Sequence, residues 1–314
     1  FATFFAAHAL WDLIPAAAAF VLLAVVTSLA VLLSIRRDSL FIAVLGLLGG
    51  FATPALLSTG ENRPVPLFAY LLLLNVGLAQ VARAKRWPVL TVLTLVLTTI
   101  YQWGWVLAFL SASSVPLAMG IFLLFPLAAF AGLVIAGRAR APGPGAATIE
   151  RSALVSAAMP LLFAFYLAAV PAYGAQPSLL FGFLFLLDTG LLALALARRQ
   201  GVLHAVGAAA TLLVSATWLS SSYPRSGGGL AAVAFMTLFS VFYVASPLLA
   251  ARLKRPLTGV AAQAHFAGPL LLAAFPVLAA IEPAFVAPWP LMGALLGLVV
   301  FIAFVTLISS LITD

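Results

Sequence analysis

The sequence predicts an all-α membrane protein of about eleven transmembrane helices, with two parallel four-helix repeats between flanking spans. Three observations carry that prediction. Hydrophobic residues make up 65% of the 314-residue chain and charged residues only 7%, whereas soluble domains average about a quarter charged. The apolar runs are continuous and about twenty residues long, without the two-residue alternation of barrel strands, so the helix is the element that satisfies its own backbone in lipid. The basic residues, which give a net charge of +8, cluster after every second run. That placement makes them topology determinants and not a nucleic-acid surface.

Residues 1–13, FATFFAAHALWDL, read as an interfacial helix or the tail of a preceding one. The chain starts at Phe1 with neither Met nor a basic n-region, so no signal peptide is recognised and a processed or truncated chain is expected. Spans are expected at 14–35, 39–59, 66–84, 87–110, 116–136, 152–173, 178–197, 202–221, 228–251, 261–281 and 289–311. After the first, third, fifth, seventh and ninth of these come Arg36-Arg37, Arg83/Lys85/Arg86, Arg138/Arg140 with Arg151, Arg198-Arg199 and Arg252/Lys254/Arg255. Those are thirteen of the fifteen Lys and Arg residues; the opposite side carries Arg63 and Arg225 among turn formers. Positive charge stays on the cytoplasmic side, which puts the N-terminus outside and the C-terminus in the cytoplasm. The loops are short, and the longest, 138–151, reads as a Pro/Gly-rich cytoplasmic linker. Trp87, Trp105, Trp218 and Trp289 fall near span ends, as interfacial anchors do.

A shift of 113 positions aligns 72–105 with 185–218. Leu74-Asn75-Val76-Gly77 then faces Leu187-Asp188-Thr189-Gly190, Lys85-Arg86 faces Arg198-Arg199, Trp105 faces Trp218, and Pro64 faces Pro177 upstream. Spans two to five form one unit and six to nine the other. Four spans per unit is an even number, so both enter the membrane in the same sense. The expected organisation is 1–38 (interfacial segment and first span), 39–137 (first repeat), 138–151 (linker), 152–255 (second repeat) and 256–314 (last two spans).

Against this apolar background the intramembrane polar residues stand out. Asp188 is the acid placed deepest within a span, and the nine Leu and three Phe between Leu179 and Ala197 outweigh the roughly 3 kcal/mol that one central Asp costs. No Lys or Arg lies at its depth. Asp188 is therefore either a hydrogen-bonded clamp between helices or a proton- or ion-binding acid in a pathway, and both readings stay open. Asn75, Thr189, Gln102 and Tyr243 are the other candidate members of an intramembrane polar site. Gly46 and Gly50 form a GxxxG, and Gly182 begins a small-residue stripe continued by Thr189, Ala193 and Ala197; both suit close helix packing. Pro54, Pro126, Pro160, Pro247, Pro269 and Pro276 fall inside spans, where each frees a carbonyl that a neighbour or water must satisfy.

Catalysis finds little footing. The chain has no Cys, and neither HExxH, a P-loop, GxSxG nor paired carboxylates occur in it. His204 and His265 lie toward the cytoplasmic side, yet nothing around them supports a haem or chlorin site. No catalytic, cofactor-binding or metal-binding residue is assigned, and no cofactor is expected.

The stretch from Val44 to Trp87, with GGFATPALLSTG at Gly49–Gly60, FAYLLLLNVG at Phe68–Gly77 and the basic turn Arg83–Arg86, resembles a family of bacterial multi-helix proteins. That family is the predicted membrane protein, domain of unknown function twenty-three thirty-nine. The resemblance implies a multi-pass protein of the bacterial cytoplasmic (inner) membrane and carries over no site residues. The expected function is a non-enzymatic scaffold or subunit of an envelope membrane assembly. Its partners would be membrane lipid and either other membrane proteins or further copies of itself, and not nucleic acid. The competing expectation is a transporter or channel for a lipid-linked or small apolar solute, with Asp188 coupling to protons.

Overall fold

The computed structural model describes residues 2–9, 11, 13–58, 60–137, 146–198, 200–223 and 229–273, together with 297–298, 300–301, 304–305 and 308. Those residues are helical or in turns, and no strand occurs among them. The helices are α1 (Ala2–Ala9), α2 (Ala16–Arg37), α3 (Leu40–Leu56), α4 (Pro64–Lys85), α5 (Pro88–Phe109), α6 (Val115–Gly137), α7 (Ala146–Ala169), α8 (Pro171–Gly174), α9 (Pro177–Arg198), α10 (Val202–Ser221), α11 (Gly229–Arg252) and the short α12 (Val260–Gln263). Seven helices among the described residues are long and apolar enough to cross a membrane, and Leu40–Leu56, Leu154–Ala169 and Val260–Ala273 are shorter apolar helices. Most of the expected eleventh span, the end of the tenth with Pro276, Trp289, and the basic residues Arg138, Arg140, Arg199 and Arg225 lie outside the described residues.

The helix ends follow local chemistry. Pro64, Pro88 and Pro177 each occupy a first helical position, where the missing N–H would have had no partner anyway. The basic turns close with residues in the left-handed conformation, Asp38 at φ 51° and Arg86 at φ 57°, whose amides reach back to Ser34 and Ala82. Arg36 and Arg37, Arg83 and Lys85, Arg198, and Arg252 sit in last helical turns, where positive charge suits the helix dipole.

Two expectations are corrected here. Residues 146–151, read as the end of a linker, already form the first turns of α7. The expected span 152–173 breaks at Val170, because Pro171 has no N–H to continue the helix and starts α8 instead. The final turn of α7 is capped from elsewhere: the hydroxyls of Ser221 and Ser222 donate to the Ala168 carbonyl at 2.8 and 3.0 Å.

The chain divides into two compact units, Phe1–Leu110 with Leu117–Ser156, and Ser111–Pro116 with Ala157–Asp314. In the first, α2 and α3 form an antiparallel pair. A Cβ on Gly46 would lie 3.1 Å from the Ala30 Cβ, and one on Gly50 3.0 Å from the Thr27 methyl, so the two glycines set how closely the backbones approach. Helices α4 and α5 form a second antiparallel pair. Lys85 Nζ donates to Asp38 at 2.8 Å, and the Arg83 guanidinium lies against Gly132 of α6, which brings three helix ends together. In the second unit α9 packs on both α10 and α11. Much of the remaining surface is apolar: Leu73, Leu107 and Leu127 of the first unit and Leu186 and Leu213 of the second are more than half exposed, as side chains solvated by lipid tails are.

Prolines behave as intramembrane prolines must. Pro54 leaves the Gly50 carbonyl without its helical donor, and the Tyr70 hydroxyl of α4 donates to it at 2.9 Å. Pro247 does the same to the Tyr243 carbonyl, which accepts from the Ser246 hydroxyl at 2.9 Å.

Candidate functional site

Asp188 lies on the packing face of α9, in the stripe Leu180, Leu184, Leu187, Leu191 and Ala195, because it follows Leu184 by four residues and precedes Leu191 by three. That phase decides its surroundings. The residue is 1% exposed, and among the described residues neither Lys nor Arg pairs with it. Its Oδ2 accepts hydrogen bonds from the Thr211 hydroxyl of α10 at 2.6 Å and from the Tyr243 hydroxyl of α11 at 2.7 Å. The two hydroxyls are 3.2 Å apart, so one carboxylate oxygen gathers three helices.

The other oxygen, Oδ1, has no hydrogen-bond partner and points at α10 where Gly207 sits. A Cβ there would be 2.8 Å from Oδ1, closer than a carbon and a carboxylate oxygen can pack. Gly207 is thus what admits the carboxylate to the seam. Toward the N-terminal end of α10, His204 is buried and its Nε2 lies 2.9 Å from the Ser246 hydroxyl. The Ser246 hydroxyl thus bridges the His204 imidazole of α10 and the Tyr243 carbonyl of α11. The His204 and Tyr243 rings are 5.4 Å apart. His204, Ser246 and Tyr243 thus extend the polar contacts from Asp188 along α10 and α11 toward Pro247.

The first unit contains a smaller seam. Asn75 Nδ2 donates to the Leu71 carbonyl and to the Thr98 hydroxyl, both at 2.8 Å. Gln102 is buried one turn further along α5. Of the expected site residues, then, Asp188 and Tyr243 come together in one unit, while Asn75 and Gln102 belong to the other. Thr189 does not join the cluster: it is turned about 100° from Asp188 around α9 and its hydroxyl donates to the Leu186 carbonyl at 2.9 Å. Gly182 is exposed, and a Cβ on it would meet nothing within 4 Å, so no described residue uses that glycine for close packing.

Two tryptophans are corrected from interfacial anchors to core residues. Trp105 is 4% and Trp218 0% exposed. Each lies edge-on to a phenylalanine, Phe68 at 5.8 Å and Phe181 at 5.1 Å, and each donates its Nε1–H at 2.8 Å, to Asn62 Oδ1 and to the Gly174 carbonyl respectively. Sequence reasoning also overlooked what Thr98 and Gly207 do and how Thr211 meets Asp188. For the threonines a signal existed, since Thr98 and Thr211 are separated by the same 113 positions as Asn75 and Asp188.

Among the described residues no three His, Asp or Glu side chains come close enough to hold a metal ion. A family model described as "Predicted membrane protein (DUF2339)" matches residues 1–175, more than half of the 314. The Asn75–Thr98 pair falls within the matched stretch and the Asp188 seam beyond it. No curated protein and no solved structure matches the chain.

Proposed function

We propose, from the premise that the chain belongs to the DUF2339 family of predicted membrane proteins, that it serves as a non-enzymatic scaffold or subunit of an assembly in the bacterial inner membrane. The observation that carries this reading is the Asp188 seam. A carboxylate in a transport pathway needs water or solute beside it, and this one is 1% exposed with both hydroxyl partners drawn from neighbouring helices. Its role is to hold α9, α10 and α11 in register.

The finer architecture belongs to the same proposal: eleven spans, the N-terminus outside, the C-terminus cytoplasmic, and two parallel repeats. Supporting the repeat, α4 and α9 are both 22 residues long, both start on proline, and are displaced by 113 positions. The pairs Asn75–Thr98 and Phe68–Trp105 recur at that displacement as Asp188–Thr211 and Phe181–Trp218. Supporting the orientation, the Lys85–Asp38 bond draws two expected cytoplasmic turns to one end of the first unit.

Purification in mild detergent tests the scaffold role. A stoichiometric partner, or a defined oligomer of this chain, is the expected result. A monodisperse, partner-free monomer would contradict it. One observation favours the alternative of a proton-coupled transporter: Oδ1 of Asp188 is left without a partner, as a protonated carboxyl in a relay could be. That reading requires Asp188→Asn to abolish pH-dependent transport while the fold stays intact.

A further inference from the structure

On the flank of α9 beside the Asp188 seam, a groove of about 600 Å³ runs between α9 and α11. Its floor is Leu192 and Leu196, its walls include Ala193 and Phe242, and it ends at Arg255 in the turn after α11. From Thr189 to Ala197 it follows α9 for eight residues, about 12 Å at 1.5 Å per residue. Small side chains on α9 leave the trough open, since Ala193 and Ala197 are exposed where leucines would have filled it. Arg255 is fixed in place: one of its guanidinium nitrogens donates to the Leu196 carbonyl at 2.7 Å, at the last turn of α9.

The charge at that end is one-sided. Arg198, Arg252, Lys254 and Arg255 all belong to the two helix ends that frame the groove. Among the described residues of this unit the acid is Asp188, buried and bonded elsewhere, and the two ion pairs found, Glu61–Arg63 and Asp38–Lys85, are both in the other unit. An apolar trough that opens on the lipid-facing side and ends in uncompensated cations matches one kind of molecule, an amphiphile with an acyl tail and an anionic head.

We propose that this groove is a binding site for an anionic phospholipid, with one acyl chain along α9 between Ala193 and Phe242 and the phosphate at Arg255. The immobilised guanidinium is preorganised for a phosphate, because its planar fork has donors left after the Leu196 bond. On the expected topology this end faces the cytoplasmic leaflet, where anionic lipids supply the attraction that basic residues near the surface use. The site does not depend on whether the protein is a scaffold or a transporter.

Native mass spectrometry on delipidated protein tests it, with phosphatidylglycerol and phosphatidylcholine of identical acyl chains as probes. Wild-type protein retains the glycerol lipid about ten-fold more tightly than the choline lipid. Arg255→Gln brings the two to within about two-fold, and Ala193→Phe, which fills the trough without touching a charge, weakens both. Arg86→Gln, in the other unit, changes neither. Equal retention by the wild type, or a preference that survives Arg255→Gln, overturns the proposal. If Arg255→Gln does not fold, Ala193→Phe decides alone, and undiminished retention by that variant overturns it. So does a lipid-free dimer, which would show a second copy of the chain in the groove, or release of the lipid by inorganic phosphate alone, which would show that the tail contributes nothing.

Discussion

Gly207 and Asp188 share a space that has no room for another carbon. A methyl at position 207 would sit 2.8 Å from Oδ1, so Gly207→Ala must push the carboxylate off its two donors or move α10 away from α9. The loss expected is about 1–3 kcal/mol, the range for overpacking a tight seam, read as a lowered thermal midpoint in detergent. Removing single donors is milder. Tyr243→Phe and Thr211→Val each lose one bond to Oδ2 and should cost about 1 kcal/mol, in line with hydrogen bonds between membrane helices. Asp188→Ala removes the acceptor that both hydroxyls share, leaving them only their 3.2 Å contact with each other, and should cost about twice that. If Asp188→Ala melts like the wild type, the seam contributes nothing to the fold. At this scale the sequence told part of the story. That an acid lay deep in span seven was legible from the apolar run around it, and Thr211 was reachable through the 113-residue displacement from Thr98. Tyr243 was grouped with it only as one intramembrane polar residue among several and Gly207 not at all, because which residues of α10 and α11 face Asp188 depends on the rotation of each helix about its axis, and an almost uniformly apolar helix has no polar face to reveal that rotation.

At the scale of elements, a proline and its rescuing hydroxyl form a unit. Tyr70 donates to the Gly50 carbonyl because Pro54 removed the helical donor that would otherwise hold it. Tyr70→Phe should therefore cost about 1 kcal/mol in the wild type and close to nothing in a Pro54→Ala background, where the helical bond returns. Equal losses in both backgrounds would show that the bond is incidental. Gly46→Leu, which cannot avoid Ala30, should separate α2 from α3 and lower the midpoint more than Gly182→Leu, which meets open space. Helix ends were largely legible, since Pro64, Pro88 and Pro177 start helices and the basic clusters end them. The break at Val170 was hidden inside a run of unbroken hydropathy, and Trp105 and Trp218 read as interfacial because nearness to a span end does not reveal that Phe68 and Phe181 lie beneath them.

At the scale of the whole molecule, a multi-pass membrane protein carries a polar seam that joins α9, α10 and α11. The chain has no cysteine, so single cysteines report sidedness against a silent background. A membrane-impermeant maleimide added to intact spheroplasts should label Ser111→Cys, in the loop on the expected outer side, and should leave Ser39→Cys, beside the basic turn of α2, unlabelled until the membrane is opened. The reverse pattern would invert the topology. The most direct measurement is on Asp188 itself: labelling of carboxylates with a water-soluble carbodiimide and an amine at mildly acidic pH, read residue by residue by mass spectrometry. Asp38 and Glu61, whose side chains are 74% and 57% exposed, are internal positive controls. The structural clamp predicts that both label while Asp188 does not; modification of Asp188 at a rate near theirs would mean that water reaches it, and would contradict the clamp in favour of a pathway.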